Sequence, residues 1–316
     1  MASSLTQSVS TILMVRPANF GYNKQTAESN AFQNIDPEHS ESEVVKLAKA
    51  EFDVFVEKLR AHGVNVVVYE EDYNSVRTDA VFPNNWISFH DNGRVVIYPM
   101  ESPNRRIEKN QIVLDLLRSD FEIDHVDDLG GYEEDDQYLE GTGSIIFDYI
   151  HGKAYACRSS RTDEGLFKKV CQSLGYEAII FDALDEQDFA IYHTNVMMAL
   201  GSGYVVICMS SIKDPKDNAL LLSHFKADQL EVIDISFDQL NSFAGNMLEV
   251  ENEDGVKYLA MSKSAYDSLT RSQLEQINQY AEPLWGDIPT IENIGGGSAR
   301  CMMAAVHLPK KELVTS

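Results

Sequence analysis

The chain reads as an α/β protein in which five copies of one strand–strand–helix–strand unit close into a ring. Three observations predict this. A short pattern recurs five times: FPNNWISFH with GRVVIYPM, LEGTGSIIFD with GKAYACRSS, YHTNVMMALG with GYVVICMSS, FAGNMLEVEN with GVKYLAMSK, and NIGGGSARCMMAAVHLP. Its marker positions Asn85, Ser144, Asn195, Asn246 and Cys301 lie 51 to 59 residues apart, a period typical of stacked supersecondary units. Helical periodicity follows each paired apolar stretch. Finally, TILMVRP near the start has the character of a second strand with no first, and AAVHLP near the end supplies the missing partner.

The elements follow in order. ESEVVKLAKAEFDVFVEKLRAHG (41–63) sets Val44, Ala48, Phe52, Phe55 and Leu59 at three- and four-residue steps and stops at Gly63. NRRIEKNQIVLDLLRSD, RTDEGLFKKVCQSLG, NALLLSHFKADQL and SKSAYDSLTRSQLEQINQY are the matching helices. Each precedes a strand: VNVVVYE, FEIDHVDD, YEAIIFDA, LEVIDIS and the weaker AEPLWGDIP. Closing such a ring removes exposed sheet edges. DLGGYEEDDQ (128–137), acidic and glycine-bearing, reads as a loop. Nothing separates two cores, so residues 1–316 are expected to form one domain.

Composition excludes several functions. The formal charge is −24, from 26 Lys and Arg against 50 Asp and Glu. Such a chain repels phosphate backbones, so nucleic-acid binding is not expected. Cys157, Cys171, Cys208 and Cys301 show no metal-ligand spacing and read as reduced thiols in a cytoplasmic setting. MASSLTQSVS lacks the basic start and apolar core of a signal peptide. No apolar run approaches a membrane span. No metal is implied, and the sequence leaves the chain free to form a homo-oligomer.

Chemistry is sought where the five units converge. Cys301 follows Gly295, Gly296 and Gly297, which let a backbone approach a ligand closely. A thiolate is a strong nucleophile once a cation or imidazole favours it. Alone, a cysteine entering an apolar strand is more often core. His193 leads the third unit and is suited to acid–base work near neutral pH. His90 and His307 are its main competitors. Glu140, before the glycines of the second unit, needs a partner such as His193 or a cationic substrate. Asn85, Asn195 and Asn246 present groups that donate and accept at once, suited to a neutral amide-like ligand. A cysteine, a histidine and a glutamate at equivalent points of separate units match the logic of covalent catalysis.

With these residues in place, the chain resembles the guanidino-group-modifying enzymes: arginine deiminase, dimethylarginine dimethylaminohydrolase and the amidinotransferases. FPNNW resembles their FTRD segment, LEGTGS their LEGGD, HTN their HLD and GGGSARC their GGGPHC. The resemblance covers nearly the whole chain. It implies a five-bladed pseudo-symmetric α/β propeller, the pentein fold, with Cys301, His193 and Glu140 as the catalytic set. PNRR (103–106) and SRTDEG (160–165) resemble segments bearing a carboxylate-binding arginine, a role carried to Arg161, with Arg105 or Arg106 behind it. Phe82 and Asn246 join the expected substrate wall.

Two departures shape the expected substrate. Where arginine deiminases carry aspartate, this chain has Asn85 and Asn195. Aspartates clamp a guanidinium through charge-assisted bonds about twice as strong as neutral ones. Asparagine suits a neutral ureido group, so citrulline is the first expectation, as in the citrulline-utilisation hydrolases that the chain also resembles. The expected reaction is cysteine-dependent hydrolysis of a non-peptide C–N bond, needing no cofactor and only a small-molecule substrate. Arginine deimination, dimethylarginine hydrolysis and amidino transfer stand as alternatives, and a catalytically silent ring-shaped binding module as the non-enzymatic one. The polar segment 20–34 is expected to cover the site.

Overall fold

The computed structural model describes residues 6–27, 30, 32–72, 74 and 76–311. Its strands are β1 (Thr11–Arg16), β2 (Asn65–Glu70), β3 (Ile87–Phe89), β4 (Arg94–Ile97), β5 (His125–Asp128), β6 (Ile146–Asp148), β7 (Lys153–Cys157), β8 (Glu177–Phe181), β9 (Met198–Gly201), β10 (Tyr204–Ile207), β11 (Glu231–Asp234), β12 (Leu248–Glu251), β13 (Lys257–Ser262), β14 (Glu282–Gly286) and β15 (Ala304–Ala305). They form three-stranded sheets in the orders β3-β4-β5, β6-β7-β8, β9-β10-β11, β12-β13-β14 and β15-β1-β2.

Every blade follows one plan. The first strand pairs antiparallel with the second, in four blades across a tight turn, as in Ile87 opposite Ile97. Gly93, Gly152, Gly203 and Gly255 occupy four of these turns with positive φ, a conformation that side chains resist. The third strand runs parallel to the second, so a helical crossover must join them. The fifth blade joins distant segments: Ile12 of β1 faces Ala305 of β15, while Thr11 faces Asn65 of β2.

The crossover helices start where local chemistry favours starting. Ser40, Asn110, Asp163, Asp214 and Thr270 each accept a backbone N–H at the first turn. In Glu41–Ala61 the buried stripe is Val44, Ala48, Phe52, Phe55, Val56 and Leu59. It packs in one core cluster with Val66, Leu284 and Ile291. The first strands β3, β6 and β9 are buried along their whole length, whereas β5 and β11 are half-buried at the rim. Neighbouring first strands touch: β15 with β3, β6 with β9, and β9 with β12. They form the hub.

Three sequence expectations need correction. Residues 128–137 are not a plain loop, because Gly130–Asp135 turns as a 3-10 helix. The segment 104–120 divides into 3-10 turns at Pro103–Glu108 and a helix at Gln111–Leu117, capped by Asn110. The helix expected over 262–280 divides at Leu269 and Thr270, because Thr270 caps a second helix at Arg271–Ile277.

Phe55 is fully buried against Gly286, where an added Cβ would lie 2.4 Å from its ring. Phe55→Ala should cost about 3–5 kcal/mol, read as a lowered urea midpoint. Ser40→Ala, which removes only an exposed cap, should cost about 1 kcal/mol.

Candidate active site

Short helical turns precede the first strands of the blades: Pro83–Asn85, Gly141–Ser144 and Thr194–Met197. Each delivers a polar residue to the hub before its strand begins. A cavity of about 20 Å³ lies there, with Asn85, Arg105, Arg161, His193 and Cys301 in its wall. Residues from four blades thus share one small space.

His193 Nε2 lies 2.8 Å from Glu140 Oε2. A carboxylate can only accept, so Nε2 carries the proton and Nδ1 is the basic nitrogen. Burial holds the imidazole down at about 4, against the pull of Glu140. Burial also opposes the Glu140 charge. The Arg161 guanidinium and the His193 bond outweigh it and hold the carboxyl well below the usual range. Arg161 Nη1 lies 3.4 Å from Glu140 Oε2, and Arg161 Nε lies 3.2 Å from Glu101 Oε2. Its guanidinium stands 4.8 Å over the Tyr192 ring. The resting pair is therefore a neutral imidazole on an ionised carboxylate, anchored by Arg161.

Cys301 is held by two amides. Asn195 Nδ2 lies 3.4 Å and Asn246 Nδ2 3.3 Å from Sγ. The Asn246 amide is fixed, because its Oδ1 accepts the Arg300 N–H at 3.0 Å. Asn195 and Asn246 were expected in the substrate wall. Both amides stand against the sulfur.

Asn85 is oriented by an arginine. Arg105 Nη1 donates to Asn85 Oδ1 at 2.8 Å, and its Nε and Nη2 donate to both oxygens of Glu108. Arg105 Nη2 also reaches the Asp79 and Phe82 carbonyls, and Nε lies 3.6 Å from Asp79 Oδ2. Expected as a carboxylate binder, Arg105 is engaged throughout by the protein itself. Burial opposes its charge, but Glu108 and Asp79 keep it ionised. Two buried acids share this cation, so burial pushes Glu108 up to about 7 and raises Asp79. Arg106 points away, to the Met100 and Glu101 carbonyls.

Asp79 is the residue that sequence reasoning missed. It lines the cavity, and its Oδ1 is buried without a hydrogen-bond partner among the described residues. Asn85 Nδ2 is buried and unpartnered likewise. No repeat position marks Asp79, and only its six-residue distance from Asn85 could have suggested it. His90 and His307 lie outside the cavity wall, beside Phe147 and Tyr149.

The glycines have steric causes. A Cβ at Gly143 would stand 2.4 Å from Asn85 Nδ2 and 2.9 Å from His193 Nδ1. Gly295 and Gly297 leave room for the Phe82 ring, 2.8 and 2.9 Å from their ideal Cβ positions. Within segment 20–34, residues 28, 29 and 31 lie outside the described residues. The described part covers the site: Asn30 Nδ2 donates to the Gly296 carbonyl at 3.1 Å and Gln33 Nε2 to Gly295 at 3.0 Å.

Blades around a hub, with a cysteine and a histidine–glutamate pair at its centre, define the guanidino-group-modifying class of pentein enzymes. The chain belongs to the family described as N,N dimethylarginine dimethylhydrolase, eukaryotic, whose model matches residues 16–308. No curated protein matches the chain. Among solved structures it is similar to ArgZ, an arginine dihydrolase of the ornithine–ammonia cycle in cyanobacteria. The apo ArgZ chain is 18% identical with a TM-score of 0.71, covering 96% of this chain and 41% of ArgZ. The substrate-bound N-terminal domain of ArgZ is 17% identical with a TM-score of 0.71, covering 95% of this chain and 98% of that domain. DDAH from Pseudomonas aeruginosa, complexed with citrulline, is 13% identical with a TM-score of 0.64, covering 94% of this chain and 99% of that one. At these identities the likeness is one of fold.

Two predictions follow from the geometry. Gly143→Ala should lower kcat by about 100-fold, the scale of a misplaced reacting group, with unchanged circular dichroism. The neutral burial of His193 contributes stability that is complete above about pH 6.5 and is lost as pH falls towards about 4. Urea midpoints of His193→Gln should therefore fall less steeply over that window than those of the parent.

Proposed function

We propose that the protein hydrolyses a terminal ureido group, with citrulline as substrate and ornithine, ammonia and carbon dioxide as products. The observation that carries this reading is the orientation of Asn85. Arginine has only donors, so the Arg105 contact fixes Oδ1 towards the guanidinium and turns Nδ2 to the cavity. A ureido oxygen accepts that N–H. A guanidinium, which has only donors, does not.

Cys301 Sγ attacks the ureido carbon, and negative charge gathers on the oxygen facing Asn85. The thiol proton passes to His193 Nδ1 and on to the departing alkylamine as the C–N bond breaks. The S-carbamoyl cysteine left behind is attacked by water, with His193 again taking the proton. Carbamate leaves and divides into ammonia and carbon dioxide, and Cys301 regains its proton. Glu140 stabilises the imidazolium at each transfer. Arg161 takes the substrate α-carboxylate by exchanging it for Glu101, the more exposed of its two acidic partners.

A second reading keeps the residues and changes the substrate. The unpartnered Asp79 Oδ1 accepts from a guanidinium nitrogen, which favours arginine or a methylated arginine, in line with the family description. Purified protein offered citrulline and arginine separately distinguishes the two. Release of labelled ornithine from citrulline, abolished by Cys301→Ala, is the expected result. Turnover of arginine with citrulline inert would reject the ureido reading. Asn85→Asp removes the donor at the developing oxyanion, and kcat on citrulline should fall about 100- to 1,000-fold.

A further inference from the structure

Beside the catalytic cavity lies a second, larger space of about 980 Å³, at the upper end of the range for small-molecule sites. Tyr192 is the wall between them and contributes to both. Its hydroxyl donates to the Gly296 carbonyl at 3.0 Å, and its ring separates Arg161 on one side from Phe32 on the other.

The lining of this groove has a definite chemistry. Phe32, Phe189, Phe237 and Phe243 join Tyr192 around it. Phe32 and Phe243 pack together with centroids 5.0 Å apart. Phe189 stands 71% exposed, so burial in the protein's own core does not explain its place. Among the described residues, the charged members of the lining are Asp185, Glu186 and Glu292, with no lysine, arginine or histidine. Aromatic faces and carboxylates both attract cations, and aromatic faces also accept a hydrocarbon stem.

We propose that this groove binds an organic cation with an apolar stem, an alkylammonium or alkylguanidinium, at a site distinct from the catalytic cavity. The inference does not rest on which substrate the cavity takes. Phe189 supplies a ring face at the mouth, and the exposed carboxylate of Glu186 supplies charge. Through Tyr192 the ligand touches the residue that stacks on Arg161.

The test uses butylguanidinium as probe and neutral butylurea as control, with calorimetry on protein whose Cys301 has been alkylated. Binding of butylguanidinium to the alkylated protein is expected, with butylurea at least tenfold weaker. Phe189→Ala and Glu186→Gln, both at exposed positions that leave the fold intact, should each weaken binding about tenfold. Three results would overturn the proposal. Loss of binding on alkylation would make the groove an antechamber of the cavity. Equal binding of butylurea would remove the charge argument. Affinity unchanged in both variants would place the probe elsewhere.

Discussion

The polar interior of this protein is organised by one buried guanidinium. Arg105 cannot be deprotonated, so its burial is tolerable only with acids and acceptors close around it. Glu108, Asp79, Asn85 and the Phe82 carbonyl provide them. The consequence reaches the chemistry. By consuming the oxygen of Asn85, Arg105 turns an ambivalent amide into a pure donor at the cavity wall. Arg161 acts in parallel on Glu140, and through it on His193. The two arginines set the polarity of the cavity wall.

That arrangement needs the ring. Asn85, His193 and Cys301 lie far apart in sequence and share a cavity, with Glu140 bonded to His193 behind its wall, only because each of the four precedes the first strand of a different blade. Placing them on the turns, and not within the strands, gives each side chain a short, buried backbone support. Gly143 and the run Gly295–Gly297 then leave the space that the amide, imidazole and phenyl groups fill. Rigid scaffolding of this kind is what pre-organised electrostatics requires.

Much of this was legible in the sequence. The five-fold pattern, the helix over 41–61 and the pairing of the first and last apolar strands all depend on local periodicity, which a sequence displays directly. The helix breaks at Leu269 and after Glu108 were missed, because a capping threonine or asparagine can equally sit within a helical pattern until the backbone decides. In the site, the shared position of Cys301 and His193 followed from the repeat. The engagement of Arg105 and the place of Asp79 did not, since charge pairing over about twenty-five residues leaves no periodic trace. Nor did the contacts of Asn195 and Asn246 with Cys301 Sγ, because sequence gives a residue's register but not which neighbour its amide meets.

The fifth blade also constrains how the molecule is made. Ile12 pairs with Ala305, so β1 leaves the ribosome long before its antiparallel neighbour exists. Until β15 emerges, β1 presents an unsatisfied edge to every other nascent strand nearby. Contacts of such long sequence separation are slow to form. The fifth blade is therefore complete only once β15 docks, and Cys301, just ahead of that strand, reaches Asn195 and Asn246 only then.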